Sequence, residues 1–161
     1  MEHLETRVAI GDDLRSVAAF LLPAYASNPQ FPLLICLHDD SGLPRFAEPM
    51  PRSPSAPLGA LLDDAFRNVY QTALLANPEF HDGALLAGRT SGPAASYSVT
   101  GWSYRLYPPP AGRPHSLNRG SAFHSCRAMS ALPEVDGLIL FARSERMIFM
   151  NGELWDTDQL L

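Results

Sequence analysis

Residues 77–88 read Asn77-Pro78-Glu79-Phe80-His81-Asp82-Gly83-Ala84-Leu85-Leu86-Ala87-Gly88, and the fold turns on how this run divides. Asn77-Pro78 stops any helix before it, because the proline ring disfavours a helical conformation at the preceding residue. Gly83–Gly88 is short and apolar, the pattern of a buried strand. Phe80–Ala84 therefore sits where a helix hands over to a strand. A carboxylate at a strand start, followed by glycine and alanine, lets a ligand approach the backbone closely. Such an aspartate can hold a divalent cation or accept a proton from a hydroxyl. The same spacing also describes an ordinary turn aspartate with a helper histidine, and spacing alone leaves both readings open.

Working outward, Leu58, Leu61, Leu62, Ala65, Val69 and Ala73 recur at helical spacing. With Pro57 suited to a first helical turn, they predict a helix over Leu58–Leu75. Residues 43–57 carry prolines at 44, 49, 51, 54 and 57, which predicts an irregular surface loop. Before it, Phe31-Pro32-Leu33-Leu34-Ile35-Cys36-Leu37 predicts a buried strand, and His38–Gly42 a turn. A first helix is predicted from an N-cap at Asp12-Asp13 to Leu22, with Leu14, Val17, Ala18, Leu21 and Leu22 on one face. Pro23 should end or kink it.

Downstream, the alternation across Ser96–Tyr107 predicts a strand that partners Gly83–Gly88. Pro108–Pro114 predicts a second rigid loop and Leu117–Leu132 a helix. Gly137–Ala142 and Met147–Met150 predict two strands, with a tight turn at Asn151-Gly152. Helices interleaved with strands in this order predict one α/β (α+β) domain over residues 1–161, a central mixed β-sheet flanked by helices.

The net charge of −5 argues against a nucleic-acid-binding surface. All 12 basic residues are arginine. Without lysine there is no Walker-type phosphate lysine, no Schiff base and no Ser-Lys dyad. Phosphate recognition falls to arginine, backbone N–H groups or a metal ion. No apolar run reaches the about 18 residues of a membrane span, and Met1–Arg7 is mostly polar, unlike a signal peptide. No membrane association is expected, and a cytoplasmic address follows. The 2 cysteines, Cys36 and Cys126, are too few for a structural zinc site and are expected to be reduced.

None of the 5 histidines forms a His-Glu-x-x-His pattern, and no Gly-x-Ser-x-Gly elbow occurs. Cys36 lies inside an apolar strand, where a core role is commoner than a nucleophilic one. Cys126 lies two residues after His124, and positions so spaced on a helix do not face one another. A Cys-His hydrolase or deamidase is therefore the weaker reading. Trp102 and Tyr104 could stack on a base, although such rings more commonly pack a core.

Asn77–Leu86 resembles the signature of the diadenylate cyclase domain, in which an Asn-x-x-x-Leu-His-Asp-Gly-Ala run opens a core strand. The order of elements matches too. Pro32–Gly42 looks like that family's early strand and turn, Leu58–Leu75 like its long helix, and Ser98–Trp102 like the strand after the motif. Ala131-Leu132-Pro133-Glu134-Val135-Asp136-Gly137 resembles its Leu-Ser-Glu-x-Thr-Asp-Ala run, and Met147–Leu154 its closing hairpin and Asn-Gly-x-Leu tail. The resemblance covers roughly residues 12–156.

Members of that family join two ATP molecules into cyclic di-AMP. Two domains face each other, each holding one ATP with a divalent metal. The resemblance implies that Asp82 holds Mg²⁺ or Mn²⁺ and favours attack by the ribose 3′-hydroxyl, a catalytic role. Gly83 and Ala84 would lie close to the nucleotide, ATP or a related one, and turnover would require a homodimer. Metal and cationic donors would stabilise the charge that builds on the phosphates.

The second signature departs. The family carries Gly-Thr-Arg-His-Arg at the start of its last long helix, gripping phosphate. The matching stretch here is Arg119-Gly120-Ser121-Ala122-Phe123-His124-Ser125-Cys126-Arg127, with Phe123 and Ser125 where arginines are expected. The chain resembles a divergent member lacking Arg-His-Arg, and it forgoes two bidentate phosphate donors. His124 would match the central histidine, Arg119 and Arg127 are the candidate substitutes, and Ser121 with the helix N-terminus could bind an anion. One half of the site is intact and the other dismantled. That pattern points to a nucleotide-binding domain serving as a degenerate sensor or regulatory module. The alternatives are an active diadenylate cyclase and a protein-interaction module with a dead pocket. The last would present loops 43–57 and 108–114 to a protein partner.

Overall fold

The computed structural model describes residues 2–90, 96–110 and 120–160, with residues 2–9 described by backbone alone. Along the chain run α1 (Glu2–Ser27), β1 (Leu33–His38), β2 (Ala47–Pro49), α2 (Phe66–Ala76), a 3₁₀ turn (Pro78–His81), β3 (Ala84–Arg89), β4 (Tyr97–Leu106), α3 (Ser121–Met129), β5 (Val135–Ala142), β6 (Glu145–Met150) and β7 (Glu153–Gln159). The seven strands form one sheet in the order β2-β4-β3-β1-β5-β6-β7. β1 and β3 are parallel and the other pairs antiparallel, so the sheet is mixed as expected.

The continuous apolar runs of β1, β3 and β5 follow from having both faces covered. Successive strand residues point to opposite faces. Leu33, Ile35, Leu37, Ile139 and Phe141 join Leu14, Leu21, Phe66 and Tyr70 in one core beneath α1 and α2. Cys36, Leu86, Leu138, Leu140 and Phe149 join Phe123, Cys126 and Met129 of α3 in a second. Gly137 lets α1 settle onto β5, since a Cβ there would meet Leu14 Cδ1 at 2.7 Å.

Four boundaries differ from expectation. Asp12 is no N-cap: α1 begins at Glu2 and passes through Pro23. Its buried stripe continues past that proline from Leu21 to Ala24 and Tyr25, so tertiary packing offsets the lost backbone hydrogen bond. α2 begins at Phe66 rather than Leu58. Gly59 takes φ +95° and residues 59–62 run beside β4, where Gly59 and Leu62 donate to Val99 and Tyr97 carbonyls and Val99 donates to Ala60. The proline-rich loop holds the short strand β2, paired with the end of β4. Glu153–Gln159 is a further strand on the sheet edge, too polar and exposed to stand out by hydrophobicity. The start of the helix expected at Leu117 lies outside the described residues.

Candidate functional site

A cavity of about 440 Å³ lies at the end of the sheet where β1 and β3 begin and β4 finishes. Asp82, Gly83 and Ala84 line it from the entry to β3, Tyr104 from β4, and Ser121 and Ser125 from α3. Four of the residues singled out by sequence, Asp82, Gly83, Ala84 and Ser121, thus converge on one space.

Local chemistry explains how Asp82 reaches it. α2 ends at Ala76 and Asn77 turns extended (φ −153°, ψ 105°), as a residue before proline should. The Asn77 side chain accepts from Glu79 N–H at 3.0 Å and donates to the Ser53 carbonyl at 3.3 Å, capping the 3₁₀ turn and tying it to the proline-rich loop. His81 stacks on Phe31 with ring centroids 3.9 Å apart and bonds the Pro78 carbonyl through Nδ1 at 2.6 Å. Ser103 Oγ donates to the Asp82 carbonyl at 2.8 Å. The turn is therefore held from three sides, while the Asp82 side chain stays 66% exposed.

Gly83 takes φ +81°, and a Cβ there would meet Met50 Cε at 2.5 Å and the Tyr104 carbonyl at 2.9 Å. The glycine that follows Asp82 is required by this crossing of backbones, whatever binds in the cavity.

Arg52 went unnoticed in the sequence because its surroundings are loop. Its side chain, 14% exposed, lies behind Asp82, with Nη2 3.6 Å from Asp82 Oδ2. Arg105 is the one arginine among the described lining residues. Its register partner is Glu48, and it alternates with Tyr104 and Leu106, which pack on the α3 side of the sheet.

The other phosphate-binding candidates are not brought here. His124 is exposed and packs edge-on against Phe123. Arg127 lies toward the far end of α3, where Nε donates to the Gly152 carbonyl at 3.1 Å and Nη2 stands 3.9 Å from Glu153 Oε1. Arg119 lies outside the described residues. Trp102 belongs to the core: its Nε1 donates to the Pro57 carbonyl at 2.9 Å and its ring stacks on Phe66. Cys36 and Cys126 are fully buried and unbridged, and burial pushes both thiols well above the ordinary thiol range, so neither suits nucleophilic attack.

A second polar cluster closes the opposite end of β1 and β3. The Asp136 carboxylate, 7% exposed, accepts from Arg89 through Nε (3.0 Å) and Nη2 and from the Tyr97 hydroxyl (2.7 Å). Burial, with Asp136 alongside, pushes the Tyr97 hydroxyl upward, and the bond to Asp136 raises Arg89. Buried His38 bonds the Asp39 carbonyl through Nδ1 at 2.7 Å and Thr100 Oγ1 through Nε2 at 2.8 Å. Asp136 is thus committed to Arg89 and Tyr97, and His38 to Thr100 and the Asp39 carbonyl.

The donor set bears on any metal. Among the described residues, no group of three or more His, Cys, Asp or Glu side chains gathers as a metal site. Mg²⁺ is commonly held by one or two carboxylates together with substrate phosphates. Asp82 therefore fits a cation that arrives on a phosphate and does not make a resident metal site by itself.

No family model and no curated protein matches the chain. Solved structures do, two of them informative for the fold. A hypothetical membrane-spanning protein from Bacillus cereus superposes on 89% of this chain with a TM-score of 0.59 at 16% identity. This chain spans 63% of that one's length. A double-cysteine variant of DacA, a diadenylate cyclase from Staphylococcus aureus, superposes on 94% of this chain and 89% of its own, with a TM-score of 0.53 at 12% identity. The fold is diadenylate-cyclase-like. Identities this low speak for the fold alone. Within the diadenylate-cyclase-like fold, Asp82-Gly83-Ala84 opens a central strand at the cavity, and α3 contributes serines to the same space. Among the described residues no helix is long and apolar enough to cross a membrane.

Proposed function

We propose that this domain binds a nucleotide in the cavity beside Asp82 and serves as a sensor or regulatory module. The observation that carries the reading is the convergence of Asp82, Gly83, Ala84 and Ser121 on a cavity to which α3 brings no arginine among its described residues. A volume of about 440 Å³ lies within the few hundred cubic ångströms usual for small-ligand pockets. Tyr104 offers an aromatic wall for a base, and Asp82 can hold a Mg²⁺ or Mn²⁺ ion that the phosphates carry in. Diadenylate transfer needs in addition cationic donors aimed at the charge that develops on the phosphates. His124 stays on the exposed side of α3 and Arg127 is committed to the β6–β7 turn.

One observation favours the second reading, an active diadenylate cyclase: Arg105 shares the cavity rim with Asp82. Incubation with ATP and Mg²⁺ or Mn²⁺, analysed for cyclic di-AMP beside Asp82→Asn, separates the two. The sensor reading expects no product and a thermal shift with Mg·ATP. Product from the wild type alone would establish the cyclase. Neither product nor thermal shift would remove both readings in favour of a protein-interaction module.

A further inference from the structure

Asp82 has a cation beside it that the fold itself supplies. Arg52 Nη2 lies 3.6 Å from Asp82 Oδ2, and Nη1 lies 3.8 Å from Glu79 Oε2. The guanidinium is not free to swing away. Its Nε donates to Ser103 Oγ at 3.2 Å and the Glu79 carbonyl at 3.3 Å, and its Nη1 donates to the Pro51 carbonyl at 2.8 Å. The proline-rich loop, the 3₁₀ turn and β4 together hold a positive charge behind a carboxylate that faces the cavity.

A cation fixed there opposes the approach of a second one, because like charges repel most where protein lowers the dielectric. A free divalent ion would bind at Asp82 against that repulsion; Glu79 lies on the same guanidinium, but no group of three or more His, Cys, Asp or Glu side chains gathers among the described residues to complete a metal's shell. A polyphosphate changes both conditions. Its oxygens complete the metal's ligand shell, and its negative charge offsets that of the guanidinium. We propose that Arg52 is a positioning residue that weakens the hold of Asp82 on free divalent cations and so favours a metal that arrives in its phosphate complex. The phosphate half of this inference rests on the nucleotide reading; the opposition to free metal stands on the Arg52–Asp82 geometry alone.

Titration with Mn²⁺ alone, followed through the paramagnetic resonance signal of the free ion, tests it. Arg52→Gln should bind Mn²⁺ about fivefold more tightly than the wild type, the factor to which a part-exposed ion pair converts. The gain should vanish in Arg52→Gln/Asp82→Asn. Unchanged or weaker Mn²⁺ binding by folded Arg52→Gln overturns the proposal, since a purely structural arginine could only weaken a site when lost. Arg52→Met gives a second neutral side chain should the glutamine variant not fold. On the wild type itself, saturating Mg²⁺ should move the Arg52 Nε–Hε resonance and leave it unmoved in Asp82→Asn. A wild-type resonance that stays put also overturns it. If the wild type binds no ATP with any metal, the nucleotide reading falls, while the Mn²⁺ series still decides the role of Arg52.

Discussion

The two ends of the central strands treat charge in opposite ways. At the end where β1 and β3 finish, Asp136 is bonded by Arg89 and Tyr97, His38 by Thr100 and the Asp39 carbonyl, and the Asp136 carboxylate is buried. At the end where those strands begin, Asp82 is mostly exposed, faces a cavity and has only a long ion pair behind it. The first arrangement ties strands together and commits its buried carboxylate to Arg89 and Tyr97. The second is poorly suited to holding the fold and, apart from the long ion pair to Arg52, leaves its oxygens open to a ligand. A polar cluster bonded within the fold goes with architecture here, and on the proposed reading the under-coordinated one is the site.

Substitutions should separate the ends by their effect on stability. The largest effect is expected from Arg89→Met. It would leave the buried Asp136 carboxylate with Tyr97 alone, and losing one partner of a buried pair costs about 3 kcal/mol. Urea unfolding measures it, and a loss below about 1 kcal/mol would mean that water replaces the guanidinium. Gly83→Ala should come next, at about 2 kcal/mol, because it combines a positive φ with a clash against Met50 and Tyr104. Its urea midpoint should fall even without ligand, which separates the glycine's structural need from any binding role. Asp82→Asn should change stability by less than about 0.5 kcal/mol, as expected for an exposed group with a weak partner. A large loss there would erase the contrast.

The smallest effect concerns pH. The hydrogen bond from Arg45 holds the Glu134 carboxyl down at about 2, against an ordinary value of 4.5. A carboxylate lowered in the folded state adds stability above its unfolded value and loses it as pH falls through the folded one. Arg45→Gln should therefore have a lower Tm than the wild type near neutrality. The gap should close between pH 4.5 and about 2. A gap that persisted at the acid limit would assign the effect to packing instead.

How far the sequence could be read follows the same contrast. β1, β3 and β5 were legible because strands covered on both faces are written as continuous apolar runs. The Asp-Gly-Ala entry to β3 was legible because Asn77-Pro78 marks a helix end and an apolar run follows; that Gly83 sits at a backbone crossing is seen only in the fold. The start of α2 was not: Leu58 and Leu61 fit a helical stripe, yet both are exposed on a segment whose backbone pairs with β4. Pro23 does not end α1, because packing on either side of it outweighs its local preference. Arg52 carries no sequence signal at all. Its meaning comes from Ser103 and Asp82, 51 and 30 positions away, which only the folded sheet brings beside it.

The central claim is that the open end of the sheet is a nucleotide site. Isothermal titration of Mg·ATP into the wild type and into Ser125→Trp, whose indole would fill the cavity from α3, tests it most directly. The account predicts saturable binding by the wild type and none by the variant, with both proteins showing the same far-ultraviolet dichroism. Absence of binding by the wild type, or equal binding by the two, would contradict it.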